Sequence, residues 1–114
     1  MDIIRKDGNG RMSKAVIYNG LLFLSGQVPS GGKDIFSQTQ SVLDKIDELL
    51  KANDCSKEKI LSATIYLKDI AMWADMNTIW DKWVAPGCEP VRTTVEASLA
   101  NSDLLIEITI IAAK

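Results

Sequence analysis

Two charged side chains set in apolar strands are the residues best placed to do chemistry in this chain. Arg92 lies within Pro90-Val91-Arg92-Thr93-Thr94-Val95-Glu96, and Glu107 within Leu105-Ile106-Glu107-Ile108. A guanidinium in so hydrophobic a strand needs compensation for its burial, and its planar fork matches a carboxylate through two parallel hydrogen bonds. That carboxylate can belong to Glu107, to another subunit or to a small ligand. The first case is a plain structural ion pair; the last is an anion-binding site.

Composition narrows what such a site does. The sequence contains no histidine, which removes imidazole acid–base chemistry and most zinc sites. Cys55 and Cys88 are far apart and form no C-x-x-C pair, so they read as free thiols. Chemistry must then come from carboxylates, hydroxyls, backbone groups, Arg or Lys, or a bound cofactor. The net charge of −2 gives no electrostatic footprint for nucleic acid or anionic lipid. The longest apolar run, Ile70-Ala71-Met72-Trp73-Ala74, is far too short to span a membrane. The segment Met1-Asp2-Ile3-Ile4-Arg5-Lys6-Asp7 is charged and has no apolar stretch of a secretory signal, so a cytoplasmic protein is expected.

The elements that must hold these side chains follow from periodicity. A length of 114 residues suits one domain, spanning 1–114, with one core. Ile3 to Arg5 reads as a short strand ended by the turn Asp7-Gly8-Asn9-Gly10. Lys14 to Tyr18 and Leu21 to Ser25 form a hairpin around Asn19-Gly20, and Gly26 to Gly32 is a loop. Ile35, Thr39, Val42, Leu43, Ile46, Leu49 and Leu50 recur at helical spacing, predicting a helix from Asp34 to Asn53. Ile60 to Leu67 alternates as a strand, with Leu61, Ala63, Ile65 and Leu67 on one face and Ser62, Thr64 and Tyr66 on the other. A second helix runs from about Ala71 to Val84, with Met72, Met76, Ile79 and Trp83 inward, until Pro86-Gly87 stops it. Val91 to Ala97 and Leu104 to Ala113 close the chain as neighbouring strands. The order β-β-β-α-β-α-β-β predicts an α+β fold with two helices packed on one face of a sheet.

Alternation also assigns faces. Val91, Thr93 and Val95 form the more apolar face of their strand, and Ile106, Ile108 and Ile110 that of theirs. Turning both toward the helices sends Arg92, Thr94 and Glu107 out together on the opposite side. That side carries Leu105 and Ile111, and the strand Leu21 to Leu24 is apolar on both faces. Such strands are covered twice, so a second subunit is expected there, with Arg92 near the interface.

The motifs Ser25-Gly26-Gln27-Val28-Pro29, Lys68-Asp69, Met76-Asn77, Pro90-Val91-Arg92 and Ile106-Glu107-Ile108 resemble the RidA/YjgF family in order and spacing over nearly the whole chain. The length and the opening Arg11-Met12-Ser13 look most like its short YoaB-type members. The resemblance implies a chorismate-mutase-like mixed sheet, a homotrimer, and hydrolysis of reactive imines and enamines of the 2-aminoacrylate type to 2-keto acids and ammonia. It implies a 2-iminobutanoate/2-iminopropanoate deaminase type of hydrolase acting at inter-subunit clefts with neither metal nor cofactor. Arg92 falls where the family grips the substrate carboxylate, and Glu107 where it handles the hydrolytic water. Thr94, Ser25, Gly26 and Asn77 fall at substrate-binding positions. Two positions depart from the pattern: Met12 stands where many relatives have tyrosine, and Thr94 where many have cysteine. The alternative is a non-catalytic binder or sensor of small 2-keto acids or other carboxylates, which would also use Arg92. A ribonuclease role, reported for some relatives, ranks below both because the chain lacks histidine and a basic surplus.

Overall fold

The computed structural model describes residues 2–114; Met1, which the expected domain includes, lies outside them. Strands β1 (Ile4–Lys6), β2 (Ala15–Tyr18) and β3 (Leu21–Leu24) lead into helix α1 (Ile35–Ala52). Strand β4 (Ile60–Leu67), helix α2 (Trp73–Trp83) and strands β5 (Val91–Glu96) and β6 (Ile106–Ala113) follow. The β2–β3 turn is the expected one, because Asn19 and Gly20 both take positive φ, 52° and 76°, as a tight hairpin requires. Helix α1 starts where Asp34 accepts a 2.8 Å hydrogen bond from the Ser37 amide, an N-cap that satisfies a donor the helix itself cannot.

The six strands lie in the order β1-β2-β3-β6-β4-β5, giving a mixed sheet with the two helices on one face, as expected. Only part of the expected strand pairing holds. β5 is not the neighbour of β6: it runs parallel to β4 at the sheet edge, and β4 separates the two. Lateral alignment then fixes the faces. Ala63, Ile65 and Leu67 sit beside Ile110, Ile108 and Ile106 on one side and beside Arg92, Thr94 and Glu96 on the other. The β4 and β6 residues of that set are buried under the helices. Arg92 and Thr94 therefore face the helices, and Glu107, aligned with Tyr66, faces the other way.

The alternation rule failed on β5 because it assumes that the apolar side of a strand is its core side. At this edge the apolar side, Val91 to Val95, points away from the helices, and Val91 is 73% exposed. The helix side meets the rim of α2, which offers polar and aromatic groups. Glu96 shows the same environment: its carboxylate accepts from the Ile70 amide at 3.0 Å, holding the short turn Ile70–Met72 that precedes α2.

Two smaller departures have local causes. A register shift between Ile60 and Ser62 leaves Leu61 turned outward, 46% exposed, while Ile60 is buried. Gln38, on the inner face of α1, is buried although polar. It donates to the carbonyls of Asp103 at 2.8 Å and Gly32 at 3.1 Å, and accepts from the Leu105 amide at 2.8 Å. Those three bonds stand in for strand pairing where the chain enters β6. Both cysteines are free thiols, and no helix among the described residues is long and apolar enough to cross a membrane.

Candidate functional site

Arg92 lies at the helix-side rim of the sheet with its guanidinium 5.2 Å above the ring of Trp80. Trp80 is buried and leans on Trp83, ring centroids 5.3 Å apart, while Trp83 donates from its indole nitrogen to Asp47 at 2.9 Å. The cation therefore rests on an anchored aromatic platform that leaves its fork of donors uncommitted. Burial lowers the guanidinium's pKa from the ordinary arginine value, and the charge of Asp81 opposes that shift. Among the described residues no carboxylate closes a hydrogen-bonded pair on Arg92.

Two polar side chains beside it are also uncommitted. Thr94 is two residues along the same strand face, and Asn77 is one helical turn before Trp80 on α2. Thr94 Oγ1 and Asn77 Oδ1 are both buried without a hydrogen-bond partner. Buried polar atoms in folded proteins are almost always paired, so these two orphans, on the strand and the helix that hold the cation, are candidates for contact with a polar ligand.

Glu107 belongs to a different surface. It projects from β6 on the face away from the helices, into a cleft of about 300 Å³ that Tyr66, Ser98, Leu99 and Thr109 also line. Its back is closed by Gly26. A Cβ at Gly26 would collide with Glu107 Oε2 and come within 3.1 Å of its carboxyl carbon. The chain reaches this closeness through a local irregularity. Phe23 pairs with Ile111, but Gln27 pairs with Ile108, so one residue between them is extra on the β3 side. Hydrogen bonds between Gln27 and Ile108, 2.9 and 3.0 Å, pin the segment again just beyond Gly26.

Ser25 goes to a third location. Its carbonyl and hydroxyl both accept from the Gln27 side chain, at 3.0 and 3.2 Å, and it lines a hollow of about 340 Å³ with Met12, Lys14 and Lys45. One chain thus sets Arg92 and Thr94 on the helix side of β5, with Asn77 on the helix that carries Trp80, and seats Glu107 on Gly26 on the opposite face. Among the described residues no group of three or more His, Cys, Asp or Glu side chains is arranged to hold a metal ion.

Two residues beside these groups are not singled out by the sequence. Trp80 carries no signal beyond that of a core aromatic, although its position three residues after Asn77 places both on one side of α2. Tyr66 falls on the face of its strand opposite Ala63, Ile65 and Leu67, but only the β4–β6 register links it to Glu107.

The family model described as Endoribonuclease L-PSP matches residues 5–114. A RutC family protein of Haemophilus ducreyi is 46% identical over 112 residues, covering 97% of this chain and 96% of that protein. The chain belongs to the RidA/YjgF family. The RutC family protein YoaB of Escherichia coli is 42% identical over 113 residues, covering 99% of each chain. The crystal structure of a YjgF family member from Neisseria meningitidis superposes with a TM-score of 0.97 at 46% identity, covering 100% of this chain and 96% of that one. The RidA/YjgF architecture of β-β-β-α-β-α-β-β is thus the fold of this chain.

Proposed function

We propose that this RidA/YjgF protein hydrolyses reactive 2-imino and enamine acids of the 2-aminoacrylate type to 2-keto acids and ammonia. Family membership supports a general imine/enamine deaminase-type activity. The observation that carries the finer reading is the unpaired Arg92 beside the orphaned oxygens of Thr94 and Asn77. A guanidinium resting over Trp80 with no carboxylate partner keeps its fork of donors free to take a carboxylate bidentately.

In this reading Arg92 grips the substrate carboxylate and so fixes the adjacent C=N carbon, while Thr94 and Asn77 take its polar atoms. Glu107 serves as the base. A water oxygen bonds to the iminium carbon as its proton passes to the Glu107 carboxylate, giving a neutral carbinolamine. That proton then goes to the carbinolamine nitrogen, the C–N bond breaks, and the hydroxyl proton leaves with the amine as ammonium. The keto acid retains the water oxygen. A protonated imine is already electrophilic, so positioning and one carboxylate suffice.

Arg92 and Glu107 point from opposite faces of one sheet, so a site containing both takes Arg92 from one subunit and Glu107 from the next. A homo-oligomer also covers the outer sheet face, where Phe23, Val91 and Val95 are exposed at 38, 73 and 40%. We place the site at that inter-subunit cleft of a cytoplasmic homotrimer. Gly26 lines it by seating Glu107, and Ser25 flanks it on the same segment.

The test is decay of imines generated by an amino-acid oxidase and trapped with semicarbazide. Faster conversion to keto acid with the wild-type protein, lost in Arg92→Ala, is the expected result. The same carboxylate grip without a base at hand describes a binder or sensor of 2-keto acids. Keto-acid binding with no acceleration for any amino-acid-derived imine would establish that reading instead.

A further inference from the structure

Tyr66 and Glu107 are register partners on the antiparallel strands β4 and β6. Side chains so aligned leave the sheet on the same face, with Cβ atoms about 5 Å apart. Both line the cleft of about 300 Å³ on the outer face, and both are half-buried there. The strand order β3-β6-β4 puts Gly26 and Tyr66 on opposite flanks of Glu107. Gly26 leaves no space behind the carboxylate, so Glu107 presents itself toward the cleft. The register alignment and the shared cleft wall bring the Tyr66 phenol into the same space that the Glu107 carboxylate faces. Among the described residues no hydrogen bond ties the Tyr66 hydroxyl into the fold, whereas Trp83 and Gln38 are so tied.

An ionised carboxylate only accepts hydrogen bonds, and one acceptor alone leaves a water free to swing about that bond. A hydroxyl beside it supplies a second anchor. We propose that Tyr66 holds the attacking water jointly with Glu107: its oxygen accepts one water hydrogen while the carboxylate accepts the other. The water's lone pair is then directed into the cleft, toward the imine carbon. The proton still passes to Glu107, and Tyr66 ends the cycle unchanged. This assignment rests on the imine-hydrolase reading and adds to it the group that orients the nucleophile.

The isosteric change Tyr66→Phe removes the hydroxyl and keeps the ring. In the assembled protein, kcat for imine hydrolysis should fall roughly tenfold or more, the scale of a lost hydrogen bond to a charged or reacting group, with KM nearly unchanged. In a Glu107→Ala background the same change should cost almost nothing, because the water it helps to hold is already lost. Tyr18→Phe removes a phenol hydroxyl at the exposed end of β2, outside the cleft, and should alter kcat by less than about twofold, separating a specific anchor from the general effect of losing a hydroxyl. An active wild type with an unchanged Tyr66→Phe variant would overturn the assignment alone. So would a Tyr66→Phe loss of equal size in both backgrounds, which marks a structural effect. A wild type with no hydrolytic activity would overturn the imine-hydrolase reading, and this assignment with it.

Discussion

The backbone at Gly26 lies against the carboxylate of Glu107, with no space for a methyl group between them. Gly26 does not have the positive φ of Gly10, Gly20, Gly32 and Gly87, so the constraint here is contact and not backbone conformation. Gly26→Ala should therefore fold and assemble but displace the Glu107 carboxylate, lowering kcat by about tenfold. Glu107→Asp withdraws the carboxylate by one methylene and relieves that collision. The double variant Gly26→Ala/Glu107→Asp should lose less than the sum of the two single losses, expressed as activation free energies. Strict additivity in steady-state kinetics would show that the contact does not set the carboxylate's position.

Arg92 should tolerate replacement structurally while losing its function. Its cation–π contact with Trp80 is half-exposed and worth about 1 kcal/mol at most, so Arg92→Ala should retain a native denaturation profile and oligomeric state. Turnover and keto-acid binding should both vanish. Arg92→Lys keeps the charge but neither the fork nor the flat stacking surface, and should raise KM more than it lowers kcat. Calorimetric titration with pyruvate alongside the trapping assay checks both, and full activity in Arg92→Ala would refute the proposed site.

Because Arg92 and Glu107 point from opposite faces, inactive variants should complement each other. In the proposed closed ring each site would pair one subunit's arginine with the next subunit's glutamate. A mixed trimer of Arg92→Ala and Glu107→Ala chains then contains roughly one intact site in three. Unfolding the two variants together and refolding them should restore measurable hydrolysis. Refolding each separately should restore none. A site confined to one chain predicts no recovery in either case.

Much of this arrangement was legible in the sequence, because most elements carry their own local signal. Asn19-Gly20 marked the hairpin, the spacing of Ile35 to Leu50 gave α1, and Ile106 to Ile110 gave the inner face of β6. The partner of β5 was not legible, since parallel pairing with β4 is a non-local choice that leaves no trace in either strand's pattern. The face of Arg92 was lost with it. A strand whose outer side is the more apolar inverts the usual inference, and its phase shows only against an aligned neighbour such as Ala63. The closeness of Gly26 to Glu107 depends on one extra residue in the β3 segment, which composition also does not announce.

Gln38 offers a test of how the fold supports the cleft from a distance. Its amide satisfies the backbone at Gly32, Asp103 and Leu105, and so ties α1 to the end of the connection between β5 and β6. That connection includes Ser98 and Leu99, which wall the cleft in front of Glu107. Gln38→Leu conserves volume but strands buried backbone groups that no water reaches easily. It should cost about 2–4 kcal/mol of stability in urea denaturation, more than Gln40→Leu on the exposed side of the same helix. Amide exchange should quicken at Asp103 to Leu105 before it does in the β4 and β6 core. Since the loosened segment is the wall of the cleft and not its carboxylate, KM should rise while the kcat of the folded fraction stays close to wild type. Unchanged exchange at Leu105 would mean that the strand ladder alone holds the connection in place.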